Sequence, residues 1–73
     1  MILEEKLQLL TDTIEAEPGE LKPDLELSSL DIWDSLAKLS VLAMFISKFN
    51  RELEVEKVRA FKTVGDILAE MHE

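Results

Sequence analysis

The sequence predicts an all-α chain: a small bundle of three main helices and one short helix, with a long ordered loop between the first two main helices. Three observations lead there. The chain has 73 residues, enough for one compact domain over residues 1–73 and too few for a second core. Apolar residues recur at steps of three and four near the start, in the middle and near the end, the spacing that lines one face of a helix. Between the first two of these runs lies a stretch that holds both prolines and has no helical period.

The first helix is predicted over about residues 2–16, because Leu3, Leu7, Leu10 and Ile14 share one face. Pro18 and Gly19 are expected to stop it, since proline lacks an amide donor and disfavours a helical residue before it. Residues 17–33 are too long for a casual connection in so small a domain, yet Leu21, Leu25, Leu27, Leu30, Ile32 and Trp33 are spread through them. A flexible linker would be polar, so these six side chains are expected to anchor the loop across the helices.

The second helix is predicted from Asp34, a suitable N-cap, to about Asn50, with Leu36, Leu39, Ala43, Ile46 and Phe49 or Asn50 along one stripe. Val41, Leu42, Met44 and Phe45 widen that stripe until the helix is apolar nearly all round. Such a helix sits centrally or also meets a partner. Residues 51–62 read as a connector with a short helix near 56–60, anchored by Leu53, Val55, Val58 and Phe61. Thr63 with Asp66 three residues later resembles a capping box, and Val64, Ile67, Leu68 and Met71 share a face of the last helix.

Composition narrows the function. Apolar residues make up 47% and charged residues 33% of the chain, a mixture that suits a globular domain rather than a disordered tail. The absence of cysteine excludes a disulfide framework, a thiolate zinc site and a cysteine nucleophile. A net charge of −8, from 16 acids against 8 bases, disfavours nucleic acid and anionic membranes as partners. The charge is uneven: residues 35–51 hold Lys38, Lys48 and Arg51 and no acid. Residues 1–6 lack the pattern of a signal peptide, and the longest apolar run, residues 41–46, is far short of the ~20 residues that span a bilayer. The expectation is a cytoplasmic monomer.

Few residue groups suggest chemistry. Asp24, Glu26, Ser28, Asp31 and Asp34 superficially suggest a calcium loop, but the central glycine and closing glutamate are missing. His72 is the sole histidine, with no second histidine or cysteine to complete a metal site, and Gly19 and Gly65 stand alone, so no phosphate-cradling loop exists. No metal site and no independent catalytic arrangement is predicted. What remains is Asp34, Ser35 and Leu36 at the junction of the long loop and the central helix. Taken alone, that tripeptide also reads as a cap, an ordinary first-turn serine and a core leucine.

The whole chain, however, resembles the acyl carrier protein family. Members share a first helix, a long loop, a D-S-L motif opening the second helix, a short third helix and a final helix entered through a T-V-x-D-like segment. Asp34, Ser35 and Leu36, then Phe49, then Thr63, Val64, Gly65, Asp66 and Ile67 match in that order, with fourteen residues from Ser35 to Phe49 and fourteen from Phe49 to Thr63.

The resemblance implies that a phosphopantetheinyl transferase attaches 4'-phosphopantetheine, taken from coenzyme A, to the Ser35 hydroxyl. The chain would then be a non-catalytic carrier that presents thioesters to acyl-loading and acyl-processing enzymes. Asp34 is the residue the family presents beside the serine for transferase recognition, and a capping role is equally compatible. The D-S-L form leans toward acyl rather than peptidyl cargo, in a fatty-acid, polyketide or other secondary-metabolite pathway.

Two departures are informative. Ile32 occupies a position where many members carry glycine, and the Trp33 beside it is either a core anchor or a partner contact. Carboxylates common on the second helix of fatty-acid carriers are replaced by Ala37, Ser40, Ile46, Ser47 and Lys48. Partner contacts are therefore expected at Leu36, Trp33, Lys38, Val41, Leu42 and Phe45, in a specialised system. Met44, Phe45 and Phe61 either line a cavity for the cargo or fill it. The alternative function is an unmodified helical interaction module with the same bundle.

Overall fold

The computed structural model describes residues 1–72, which form α1 (Leu3–Ile14), a single 3-10 turn (Leu27–Ser29), α2 (Ser35–Phe49), α3 (Val55–Ala60) and α4 (Val64–Glu70). This is the predicted all-α bundle with one short helix and a long gap between α1 and α2. Helix α2 contacts α1 and α3, and α1 also contacts α4. None of the described helices is long and apolar enough to cross a membrane.

Helix α1 opens where the Ile2 amide donates to Glu5 Oε1 at 3.0 Å, which also places the acidic Glu4 and Glu5 at the positive end of the helix dipole. Leu10 and Ile14 are buried and Leu7 is half-buried, but Leu3 is exposed. The helix stops earlier than expected and by a different device. Glu15 turns left-handed at φ 58°, and the Ala16 amide returns to the Thr11 carbonyl at 2.9 Å. Pro18 and Gly19 lie in the turn beyond.

The loop is ordered by the six predicted anchors. Leu21, Leu27 and Leu30 are buried, and Leu25, Ile32 and Trp33 pack half-buried against the core. Backbone bonds add a second tie. Leu27 N–H donates to the Lys62 carbonyl at 2.8 Å, Val64 N–H to the Leu25 carbonyl at 3.0 Å and Gly65 N–H to the Pro23 carbonyl at 2.8 Å. The loop thereby meets the start of α4 through one isolated antiparallel bridge, Glu26 with Thr63, and no strand forms among the described residues. Gly65 is required by this approach: a Cβ there would lie 2.9 Å from the Pro23 carbonyl oxygen, inside van der Waals contact.

Helix α2 buries a different stripe from the one its sequence suggested. Ala37, Val41, Met44, Phe45 and Phe49 face the core, whereas Leu36, Leu39, Ala43 and Ile46 face outward. Phe45 and Phe49 stack one turn apart, ring centroids 5.6 Å from each other and tilted by 42°. Fully burying a side chain such as Phe45 contributes about 1.5–3 kcal/mol, so this stripe is the main bond between α2 and the bundle. A left-handed Asn50, φ 53°, ends the helix, with Arg51 N–H donating to the Phe45 carbonyl at 3.0 Å.

Helix α3 covers the predicted short helix with one more residue at its start. Val58 and Phe61 are buried and Leu53 half-buried as anchors, while Val55 is exposed. Helix α4 carries the predicted capping box: Asp66 N–H donates to Thr63 Oγ1 at 3.2 Å and Thr63 N–H to Asp66 Oδ2 at 3.1 Å. The Lys62 amide also donates to Asp66 Oδ2, at 2.8 Å. The Lys62 and Thr63 amides hold the Asp66 carboxyl below its ordinary pKa of 3.8. Val64, Ile67, Leu68 and Met71 are all buried.

At the tail of α2, Arg51 Nη2 meets Glu70 Oε1 at 2.9 Å and Lys57 Nζ meets Glu70 Oε2 at 3.0 Å. Arg51 Nη1 donates to the Glu70 carbonyl as well. Three segments are joined through one carboxylate, whose pKa lies below its ordinary 4.5 because of Lys57 first and Arg51 next.

Candidate functional site at the head of α2

The chain between the 3-10 turn and α2 is turned twice to deliver residues 33–36. Trp33 N–H donates to the Leu30 carbonyl at 3.1 Å and Asp34 N–H to the Ile32 carbonyl at 2.9 Å. Asp34 is extended, and its Oδ1 accepts from the Ala37 amide at 2.9 Å, so it is the N-cap that the sequence predicted. One of its carboxylate oxygens is thus committed to the fold.

Ser35 is the first residue of α2, and it is exposed. Among the described residues, no protein group hydrogen-bonds its hydroxyl. The hydroxyl stands at the positive end of a 15-residue helix, where unpaired amides and the helix dipole favour an anion. Beside it opens a pocket of about 200 Å³ lined by Ser35, Leu42, Val55 and Val58 together with Lys38 and Arg59.

Lys38 and Arg59 also line a larger groove of about 610 Å³, whose walls include Leu27, Trp33, Phe61 and Lys62. Trp33 is half-buried against the core, and the Lys38 ammonium lies 5.8 Å from its ring centroid, a cation–π contact. Trp33 therefore anchors the loop with part of its ring and offers the rest to the groove.

The structure corrects several expected contacts. Val41 and Phe45 are 0% exposed, so neither reaches a partner; they hold α2 in place from the other side. Leu42 is half-buried on the pocket wall. Leu36, expected as a partner contact, is 72% exposed and so accessible, and Leu39 at 59% and Ile46 at 54% continue its apolar face along the helix. Ala37 is buried, so only the other positions lacking the customary carboxylates bear on partner choice. Phe45 fills the core, whereas Phe61 borders the groove.

Arg59 and Lys62 are site residues that the sequence did not single out. No motif marks them: Arg59 is placed by the packing of α3 on α2, and Lys62 by the hydrogen bond that the Leu27 N–H donates to its carbonyl. Comparison of the chain with protein-family models, with curated proteins and with solved structures finds no match.

Proposed function

We propose that this chain is a carrier protein that tethers acyl intermediates as thioesters on a 4'-phosphopantetheine arm at Ser35. It performs no catalysis of its own. The observation that carries the reading is the exposed Ser35 hydroxyl at the head of α2, beside the Asp34 cap and without a hydrogen-bond partner among the described residues. The residues present fit such a group. A phosphodiester formed at Ser35 Oγ, with adenosine 3',5'-bisphosphate leaving from coenzyme A, would lie at the positive end of the helix dipole with Lys38 one turn on. The arm supplies the thiol that this cysteine-free chain lacks, and tethering raises the local concentration of the cargo for enzymes that act on it.

The partners are a phosphopantetheinyl transferase and acyl-loading and acyl-processing enzymes of a specialised cytoplasmic fatty-acid, polyketide or secondary-metabolite system. Support for specialisation comes from the face beside Ser35. Leu36, Leu39 and Ile46 are exposed there, and the charged residues of α2 are Lys38 and Lys48. A partner surface of apolar side chains with carboxylates fits it, whereas a basic surface meets like charge.

The same exposed apolar face favours the second reading, an unmodified interaction module in which α2 docks a partner directly. Intact mass separates the two. Incubation with a broad-specificity phosphopantetheinyl transferase and coenzyme A is expected to add one prosthetic-group increment; an unchanged mass would leave the interaction module.

A further inference from the structure

The chain is strongly acidic, yet Lys38, Arg59 and Lys62, three of its eight basic residues, converge on the groove beside Ser35. Among the described residues the ion pairs are Arg51 with Glu70 and Lys57 with Glu70. Among the described residues the three groove cations have no carboxylate at ion-pair distance, although the Lys62 charge also acts on Asp66. Concentrated positive charge on an acidic molecule is opposite to what solubility alone requires, and no ion pair among the described residues uses it.

The groove walls are apolar and aromatic as well, with Leu27, Trp33 and Phe61. Its volume of about 610 Å³ lies within the range of ordinary ligand pockets, ~300–1,000 Å³. Apolar walls with a few convergent cations match an amphipathic anion: the body lies on the aromatic surface, and the carboxylate meets the Arg59 fork and the lysine ammoniums. Glu26 also lines the groove, leaving its lining charge positive.

Connection to Ser35 is direct. Lys38 and Arg59 line both this groove and the smaller pocket that contains Ser35, so the two openings adjoin at these cations. We propose that the groove between the 3-10 turn, the head of α2 and the α3–α4 junction is a subsite for carboxylated acyl groups, with Lys38, Arg59 and Lys62 binding the distal carboxylate and Trp33 the acyl body. This rests on the carrier reading and adds a cargo class to it.

The test uses two cargoes of equal carbon number. A permissive phosphopantetheinyl transferase loads the protein from suberyl-coenzyme A or octanoyl-coenzyme A, and intact mass confirms each product. Trp33 is the single tryptophan, so its emission and its indole N–H resonance report the groove without interference. The suberyl form is expected to shift both signals relative to the unacylated holo form, and to occupy the groove about two- to fivefold more than the octanoyl form, the factor an exposed charge pair supplies.

Lys38→Gln and Arg59→Gln, separately and together, are expected to abolish the difference between the suberyl and octanoyl forms of the same variant, and added salt to do the same in the wild type. Lys62→Gln is expected to give a smaller loss. Identical spectra for the two cargoes, with both mass increments present, would overturn the subsite and leave the carrier intact. Failure of any increment to appear would remove the carrier reading and the subsite together.

Discussion

The two ends of α2 treat charge in opposite ways. At the tail, Arg51 and Lys57 converge on Glu70, and Arg51 also grips the backbone carbonyl of that residue, tying α2, α3 and α4 together. At the head, Asp34 spends one oxygen on the helix cap, while Lys38 and Arg59 border a groove without a carboxylate partner among the described residues. The fold closes itself at one end with charges that it leaves available at the other. The proposed site of the arm, Ser35, lies at the available end, where an attached group would be free to leave the surface and enter another protein.

That contrast depends on the loop arriving in one conformation, so the most disruptive change is expected at its tie to α4. Gly65→Ala forces a methyl against the Pro23 carbonyl and should destabilise by about 1–3 kcal/mol, the usual range for overpacking, measured by urea unfolding. Wild-type stability would mean that the loop shifts freely and that the head of α2 is not held by it.

Arg51→Ala and the pair Lys38→Gln with Arg59→Gln compare the two ends directly. Loss of Arg51 removes an ion pair and a charged hydrogen bond and should cost about 1–2 kcal/mol. The head variants should each stay within about 0.5 kcal/mol of wild type. Equal costs at both ends would mean that the head charges hold the fold as firmly as Arg51 does.

Asp34→Ala removes the carboxylate that the fold uses at the head, the cap on the Ala37 amide. A loss of ~1 kcal/mol is expected, and Asp34→Asn, which retains a capping oxygen, should recover most of it. If Asn restores stability but not modification by the transferase, the second oxygen of Asp34 serves recognition.

Acid gives the smallest and most gradual effect. Lys57 and Arg51 lower the Glu70 pKa, and the Lys62 and Thr63 amides lower that of Asp66, so the folded chain binds fewer protons than the unfolded chain just beneath the ordinary values of 4.5 and 3.8. Their contribution is complete above those values and is lost as pH falls through the lower folded ones. The melting temperature of Glu70→Gln should therefore fall less between pH 5 and pH 3 than that of wild type, a window set by these carboxyl values. Parallel pH profiles would contradict the role assigned to Glu70.

Much of this was legible in the sequence where a local rule had one solution. Thr63 and Asp66 form the expected capping box, Asp34 caps α2, and the six loop anchors are buried or half-buried. Helix α2 misled because two stripes satisfy helical spacing equally well. Leu36, Leu39, Ala43 and Ile46 are as periodic as Ala37, Val41, Met44, Phe45 and Phe49, and only the second faces the bundle. Periodicity finds a stripe but cannot choose between two when the helix is apolar nearly all round. The cationic groove was illegible for another reason, since Lys38 and Arg59 are brought together by the course of α3 and by no motif.

Where the modification falls decides most directly whether Ser35 carries the proposed arm. After reaction with transferase and coenzyme A, proteolysis and tandem mass spectrometry should place a single phosphopantetheine on Ser35, and Ser35→Ala should accept none while its stability stays within about 0.5 kcal/mol of wild type. An arm on Ser28, Ser29, Ser40 or Ser47, or modification persisting in Ser35→Ala, would contradict that assignment.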